Sequence, residues 1–229
     1  MDTLIEFQNA AIGYAQREPL ISPLTFSIKK GEHTLIIGES GVGKSALVKT
    51  IMGILCVWEG QYQAFEREMT DPPAVLLSYV RKKIGLLPDR GILIKNLTIF
   101  QNIVLQLKYG HSLGAERIME RIDSYLEEFE LHPLLPLYPC DLNTDQIKKI
   151  GFVRAIVNNP DLLILDDPYE GLDDHGIRRI NEALHRIVDT GNTTVLLLSR
   201  KRILPAPFFK NIEYLTPKGF GVSEAFVPA

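Results

Sequence analysis

The chain has 229 residues, 25 basic against 28 acidic for a net charge of −3, with 45% hydrophobic and 23% charged positions. That balance is ordinary for a globular protein with one sizeable core, and it supplies no basic field to recruit nucleic acid. No apolar run reaches the roughly 18 residues of a membrane span, and Met1-Asp2-Thr3 opens no signal peptide, so a cytoplasmic protein is expected. In chain order, Leu4-Ile5-Glu6-Phe7 and Leu24-Thr25-Phe26-Ser27-Ile28 alternate apolar and polar. They predict two half-buried antiparallel strands joined by a loop that carries Tyr14. Lys30-Gly31-Glu32 then turns the chain into Thr34-Leu35-Ile36-Ile37, an apolar run of buried-strand type. After Gly38-Glu39-Ser40-Gly41-Val42-Gly43-Lys44-Ser45, the run from Ala46 to Met52 reads as a helix, with Leu47, Ile51 and Leu55 four apart. Short strands are expected at Gly60 to Phe65 and Lys83 to Leu87. Helix is expected from about Leu97 to Val157, where Ile118, Ile122, Tyr125 and Phe129 form one apolar stripe. Asp161 to Asp166 reads as a buried strand with a polar end, Asp173 to Val188 as helix, and Thr193 to Leu198 as strand. Asn211 to Val222 reads as a hairpin turning at Lys218-Gly219. Cys56 and Cys140 fit no metal spacing and are expected as free thiols. This alternation predicts an α/β fold with a mainly parallel sheet core, an antiparallel β portion and an inserted helical segment.

The octet Gly38 to Ser45 satisfies G-x-x-x-x-G-K-[S/T] between a predicted strand and a predicted helix. Glycines let the backbone turn its N–H groups toward one point, and the helix N-terminus adds its positive end, so the loop is an anion site. Lys44 is placed to reach the β- and γ-phosphates, and the Ser45 hydroxyl to take one position on Mg²⁺. Gly38, Ser40, Gly41, Gly43 and Ala46 complete the candidate phosphate contacts. Downstream, the apolar strand ending in Asp166 supplies a carboxylate able to hold Mg²⁺ through water opposite Ser45. Asp167, the next residue, is placed to polarise an attacking water.

With those motifs in place, the whole chain resembles the nucleotide-binding subunit of an ABC transporter, a P-loop NTPase with a RecA-like core. By that resemblance Tyr14 falls where an aromatic ring stacks on adenine, and Ile84 to Asp89 falls on the Q-loop stretch. Leu97 to Ile103 is similar to the start of the helical subdomain, and Leu142-Asn143-Thr144-Asp145-Gln146 occupies the signature position. Asp167-Pro168-Tyr169-Glu170-Gly171-Leu172-Asp173 follows Walker B into the D-loop, and Thr193 to Arg200 lines up with the strand ending in the H-loop histidine. The resemblance implies one domain over 1–229, with residues 1–96 and 158–229 as core and 97–157 as helical subdomain. It also implies ATP and Mg²⁺ as ligands.

Four of those motifs depart from the family pattern. The signature lacks Ser-Gly-Gly: Asn143 keeps an amide donor, whereas Thr144 adds bulk and Asp145 a negative charge. A carboxylate about 5 Å from a phosphate costs roughly 3 kcal/mol at an effective dielectric near 20. A plainer reading has Asn143, Thr144 or Asp145 capping the next helix. Asp167 replaces a glutamate, which withdraws the carboxylate by about 1.5 Å, and a misplacement of about 1 Å can cost roughly a hundredfold in rate. Arg200 replaces the histidine and, permanently charged, can pair with a γ-phosphate without shuttling protons; Arg200-Lys201-Arg202 also reads as a solvated basic turn. Asp89 replaces the Q-loop glutamine, keeping an acceptor for Mg²⁺ or water and losing a donor. Beside it, Gly91-Ile92-Leu93-Ile94 fits a docking surface for a membrane subunit, with core packing as the alternative.

The resemblance therefore implies an ATP-binding subunit on the inner face of the cell membrane. Its expected partners are integral permease subunits and a second ABC ATPase subunit, itself or a paralogue, and its hydrolysis is slowed. Chain length, a single nucleotide domain and Leu97 to Ile103 together look most like branches that move lipids or lipoproteins, or act on the cell envelope. The alternative is a regulatory module that binds ATP with little or no hydrolysis. A soluble ABC ATPase of DNA repair or translation would need coiled-coil inserts or tandem cassettes, and neither is present.

Overall fold

A computed structural model describes residues 2–14, 18–110, 115–200 and 207–221. Lys201 and Arg202 of the expected basic turn, and Val222 at the end of the expected hairpin, lie outside them. The chain forms two compact units, Met1–Lys83 with Thr194–Ala229, and Ile84–Thr193.

In the first unit, β1 (Thr3–Ile12) pairs antiparallel with β2 (Ile21–Lys29) and with β4 (Val57–Ala64), which pairs with β5 (Arg67–Glu68) in the order β2-β1-β4-β5. A parallel sheet is built on β3 (Thr34–Ile37), flanked by β8 (Thr194–Ser199) and β9 (Asn211–Thr216), with β10 (Gly219–Phe220) antiparallel at the edge. All residues of β3 and β8 are buried, as the continuous apolar runs of a parallel sheet require. Helix α1 (Lys44–Ile51) buries six of its residues and α2 (Ala74–Lys83) buries Val80.

One cross-strand pair ties these pieces together. Phe7 faces Tyr62 across β1 and β4 with rings stacked at 4.4 Å and 8°, worth about 1 kcal/mol beyond the area buried. The Tyr62 hydroxyl donates to the Ile51 carbonyl at 2.8 Å, satisfying a C-terminal carbonyl of α1, and burial pushes the phenol pKa well up. The antiparallel sheet is thereby pinned to the helix that follows the glycine loop.

In the second unit, β6 (Ile84–Leu87) runs parallel to β7 (Leu162–Asp166). Around the pair are α3 (Ile99–Gly110), α4 (Ala115–Glu128), α5 (Thr144–Ile156) and α6 (Asp174–Asp189). A Cβ on Gly85 would lie 2.0 Å from the Ala155 carbonyl, so α5 sits against β6 at a distance only glycine permits. Buried Asn102 organises the stretch before α3: its Oδ1 accepts from Ile94 N at 2.8 Å, and its Nδ2 donates to the carbonyls of Ile94, Leu97 and Thr98. Thr98 and Gln101 close a reciprocal capping box on α3.

Two elements, the β4/β5 hairpin and α2, carry no local signal in the sequence. The hairpin of β4 and β5 turns at Phe65-Glu66, both with positive φ (49° and 61°), in place of the Asn-Gly type of pair that signals such a turn. Helix α2 leaves Val75 81% and Tyr79 45% exposed and turns Leu76, Leu77 and Val80 inward, Leu77 against Gly53. Its position comes from Arg81, which donates to the carbonyls of Met52 (2.9 Å) and Gly53 (3.2 Å) beyond α1.

Candidate functional site

In the first unit the chain leaves β3 into the glycine loop. Gly38 N donates to the Ser199 carbonyl at 3.1 Å, so the loop springs from the two paired strand ends. Gly41 and Gly43 have φ of +83° and +109°, and a Cβ on Gly43 would meet Ile21 Cδ1 at 2.8 Å. Both points demand glycine, and the second places the loop against β2. Gly43 is the N-cap of α1 without a side-chain cap, so the first N–H groups of the helix point into the loop without a side-chain partner from the cap. Lys44 is buried, its ammonium donating to the carbonyls of Gly38 (2.7 Å) and Glu39 (3.0 Å). Ser40 and Ser45 are exposed, and the Ala46 methyl is buried. Beside the loop, Gly38 to Val42 and Tyr214 to Pro217 line a cavity of about 350 Å³. The residues fit a polyphosphate and a hard cation: glycine turns and helix N–H groups for the anion, and an exposed hydroxyl at Ser45 for the metal.

Tyr14, at the end of the β1 arm, is 47% exposed. Lys49 of α1 donates to its hydroxyl at 3.1 Å, with the ammonium 5.0 Å from the ring centre. Arg200 directly follows β8 and is exposed.

The second unit carries the carboxylates. Strand β7 delivers Asp166 buried at its end. Asp167 follows in the left-handed region at φ +44°, a conformation aspartate tolerates better than longer side chains do. Asp89, Asp167 and Glu170 each bring a carboxylate oxygen within 4.8 Å of the others. Glu170 carries no separate signal in the sequence; it is close to Asp167 in the chain, and the turn bringing it back is closed by Glu170 N donating to the Asp167 carbonyl at 3.3 Å. Tyr169, also in that turn, donates to Asn181 at 2.5 Å, and burial raises its phenol pKa to about 12.

Helix α5 holds the Asp89 stretch by its backbone. Buried Lys148 donates to the Asp89 carbonyl, and Arg154 donates to the Ile92 carbonyl at 2.6 Å. Gly91 (φ +61°) lets the two backbones approach, since a Cβ there would be 3.0 Å from the Ile147 carbonyl. Ile92 and Ile94 are 64% and 40% exposed, while Leu93 is buried.

At the signature position, Asn143 is the N-cap of α5. Its Oδ1 accepts from Gln146 N at 2.8 Å, and Gln146 Oε1 accepts from Asn143 N at 3.1 Å. Thr144 is exposed. Asp145 forms an i,i+4 ion pair with Lys149 at 2.6 Å, and its other oxygen is buried without a hydrogen-bond partner among the described residues. Asp145 thus has a cation partner one turn along its own helix. Lys149 also lies near Asp173, the N-cap of α6, whose pKa is held down first by the hydrogen bond from Gly176 N (2.6 Å).

The comparisons with known proteins agree with this architecture. The family model described as ABC transporter matches residues 21–170. A putative ABC transporter ATP-binding protein of Caldanaerobacter subterraneus is 28% identical over 86% of this chain and 81% of its own length. A methionine import ATP-binding protein of Carboxydothermus hydrogenoformans is 30% identical over 86% of this chain, which spans 59% of that relative. The dimeric structure of the ATP-binding cassette MJ0796 bound to ADP and Pi superposes with a TM-score of 0.86 at 25% identity, covering 99% of this chain and 100% of that one. With a glycine loop of this geometry and a family match over most of its length, the chain belongs to the ABC transporter family as an ATP-binding cassette.

Proposed function

We propose that this chain is the ATP-binding subunit of a membrane ABC transporter, that it binds Mg·ATP, and that it hydrolyses ATP slowly. The observation that carries the reading is the Gly38–Ser45 loop, with glycines at φ +83° and +109° and Lys44 buried within it. In the proposed bound state Lys44 exchanges the Gly38 and Glu39 carbonyls for phosphate oxygens, and Tyr14 stacks on the adenine. On the family resemblance, Ser45, Asp166 and Asp89 would be the residues that hold Mg²⁺, which would supply neutralisation of phosphate charge. Asp167 orients the attacking water from a shorter stem than glutamate has, and Arg200 pairs with the terminal phosphate without accepting a proton. Asn143, Thr144 and Asp145 cap the nucleotide of a second ABC subunit, itself or a paralogue.

Ile92 and Ile94, exposed on a stretch anchored from α5, support the proposed contact with an integral permease subunit, which would hold the chain at the inner face of the membrane. The proposed helical subdomain is 97–157. Lipid or lipoprotein is the cargo class we propose, on chain length, the single nucleotide domain and the likeness of Leu97 to Ile103.

Fluorescent-nucleotide titration tests the first half of the reading. Wild type binds Mg·ATP, and Lys44→Ala weakens it about ten- to a hundredfold, the worth of a hydrogen bond to a charged group. Unchanged binding in Lys44→Ala would sink it. ATPase assays alone and with the permease test the second half. Turnover near a standard cassette's refutes slow hydrolysis, whereas tight binding with no turnover under either condition assigns the chain to the regulatory alternative.

A further inference from the structure

Tyr14, two residues beyond β1, is nearly half exposed. Among the described residues, one polar contact holds it. Lys49 Nζ donates to Tyr14 Oη at 3.1 Å while lying 5.0 Å from the ring centre. The oxygen sits at a fixed covalent distance from that centre along the ring axis. The two distances together put the ammonium beyond the hydroxyl end of the ring, not above its face. Lys49 therefore covers neither π face and tethers the ring by its polar tip.

Lys49 is itself well anchored. It belongs to the last turns of α1, and its carbonyl accepts from Ile54 N (2.8 Å) and Leu55 N (3.3 Å), closing the helix. It lies five residues beyond Lys44, roughly 7.5 Å further along the axis, away from the anion site at the helix N-terminus. The phosphate loop and the tether of the ring are thus referenced to one rigid element.

We propose that Lys49 is a positioning residue for the nucleobase: it holds Tyr14 by the hydroxyl so that a ring face is presented to adenine before the nucleotide arrives. The inference rests on the reading of Tyr14 as the adenine-stacking residue. A side chain ordered in advance removes the entropy cost that a free ring incurs on binding. Tyrosine, unlike phenylalanine, is needed because the tether is its hydroxyl. Lysine is needed for its donor, and arginine in the same place also supplies one.

The test compares binding of ATP and of inorganic tripolyphosphate, both with Mg²⁺, to the full chain by calorimetry. Lys49→Met and Tyr14→Phe are each expected to weaken ATP about three- to tenfold, with tripolyphosphate unchanged. The double variant is expected to be no weaker than either single one, because both remove the same contact. Lys49→Arg restores most of the affinity. Equal loss of ATP and tripolyphosphate in Lys49→Met overturns the proposal, since Lys49 then acts through charge or folding. Full additivity of the two variants overturns it as well. Tyr14→Ala separates the two levels. If it weakens ATP while Lys49→Met and Tyr14→Phe match wild type, stacking stands and the tether falls. If Tyr14→Ala leaves ATP binding intact, the stacking reading fails and the tether with it.

Discussion

The shortened carboxylate at Asp167 sits on backbone at φ +44°, next to a buried Asp166 and within 4.8 Å of Asp89 and Glu170. Reach and backbone strain pull in opposite directions there. A glutamate would extend the carboxylate by one methylene, but a longer side chain is less at ease in the left-handed region. Asp167→Glu is expected to raise ATP turnover about tenfold or more while lowering thermal stability by up to about 1 kcal/mol. Steady-state ATPase and thermal melts on the same preparation check both signs, and a variant that is slower as well as less stable would remove Asp167 from the water-orienting role. Asp145 teaches a related lesson. Its charge was visible in the sequence, whereas its pairing with Lys149 depends on the helix that sets the two four residues apart on one face.

At the level of elements, turns and caps give the clearest wagers. Phe65-Glu66 turns β4 into β5 with two positive φ values, and Glu66 packs no core. Glu66→Gly is expected to stabilise the fold by about 0.5–1 kcal/mol by removing the left-handed penalty. Chemical denaturation with an unchanged m-value would read this directly. Asn143 caps α5 through a reciprocal bond with Gln146. Asn143→Ala is expected to cost about 1 kcal/mol in the same experiment, and a neutral result would mean that the cap contributes nothing beyond what tertiary packing supplies. Helix α5 matters beyond its own stability. Lys148 and Arg154 reach from it to the carbonyls of Asp89 and Ile92, so the signature helix and the Asp89 stretch are mechanically one piece within their unit. Burial lowers the Arg154 pKa, yet a guanidinium remains charged through the physiological range.

For the whole molecule, pH dependence follows from His33 at the start of β3. Its Nδ1 accepts from Val195 N at 3.1 Å, its edge meets Phe208, and its pKa is lowered below 6.5 by burial first and Lys210 second. Between the folded and unfolded values the unfolded chain binds more protons, so stability falls as pH drops below the unfolded value of 6.5 and levels off beneath the folded one. Melting temperature is expected to decline as pH falls through and below 6.5. His33→Gln keeps an acceptor that cannot protonate and should flatten that decline. An identical slope in the variant would clear His33 of the effect.

Much of the molecule was legible in its residues because the informative segments are local. An apolar run, a glycine loop and a helical stripe in succession dictate strand, anion-binding turn and helix, and their order identified the P-loop core and its ABC character before any coordinates. Gly41 and Gly43 were readable because only glycine takes those φ values without cost. What tertiary structure decided are the contacts between residues remote in sequence and the conformations no residue type announces. The Phe65-Glu66 turn is made from residues that seldom signal it. Helix α2 is positioned by Arg81 reaching carbonyls 28 and 29 residues away. Glu170 joins Asp89 and Asp167 through a folded turn, and Lys49 meets Tyr14 across 35 residues. The sequence by itself determined the family and the phosphate loop, since each is a short pattern with its own local energetics. Which charges are paired, which backbone stretches are tethered and which rings are held depended on packing, because those energies exist only once distant segments have been brought together.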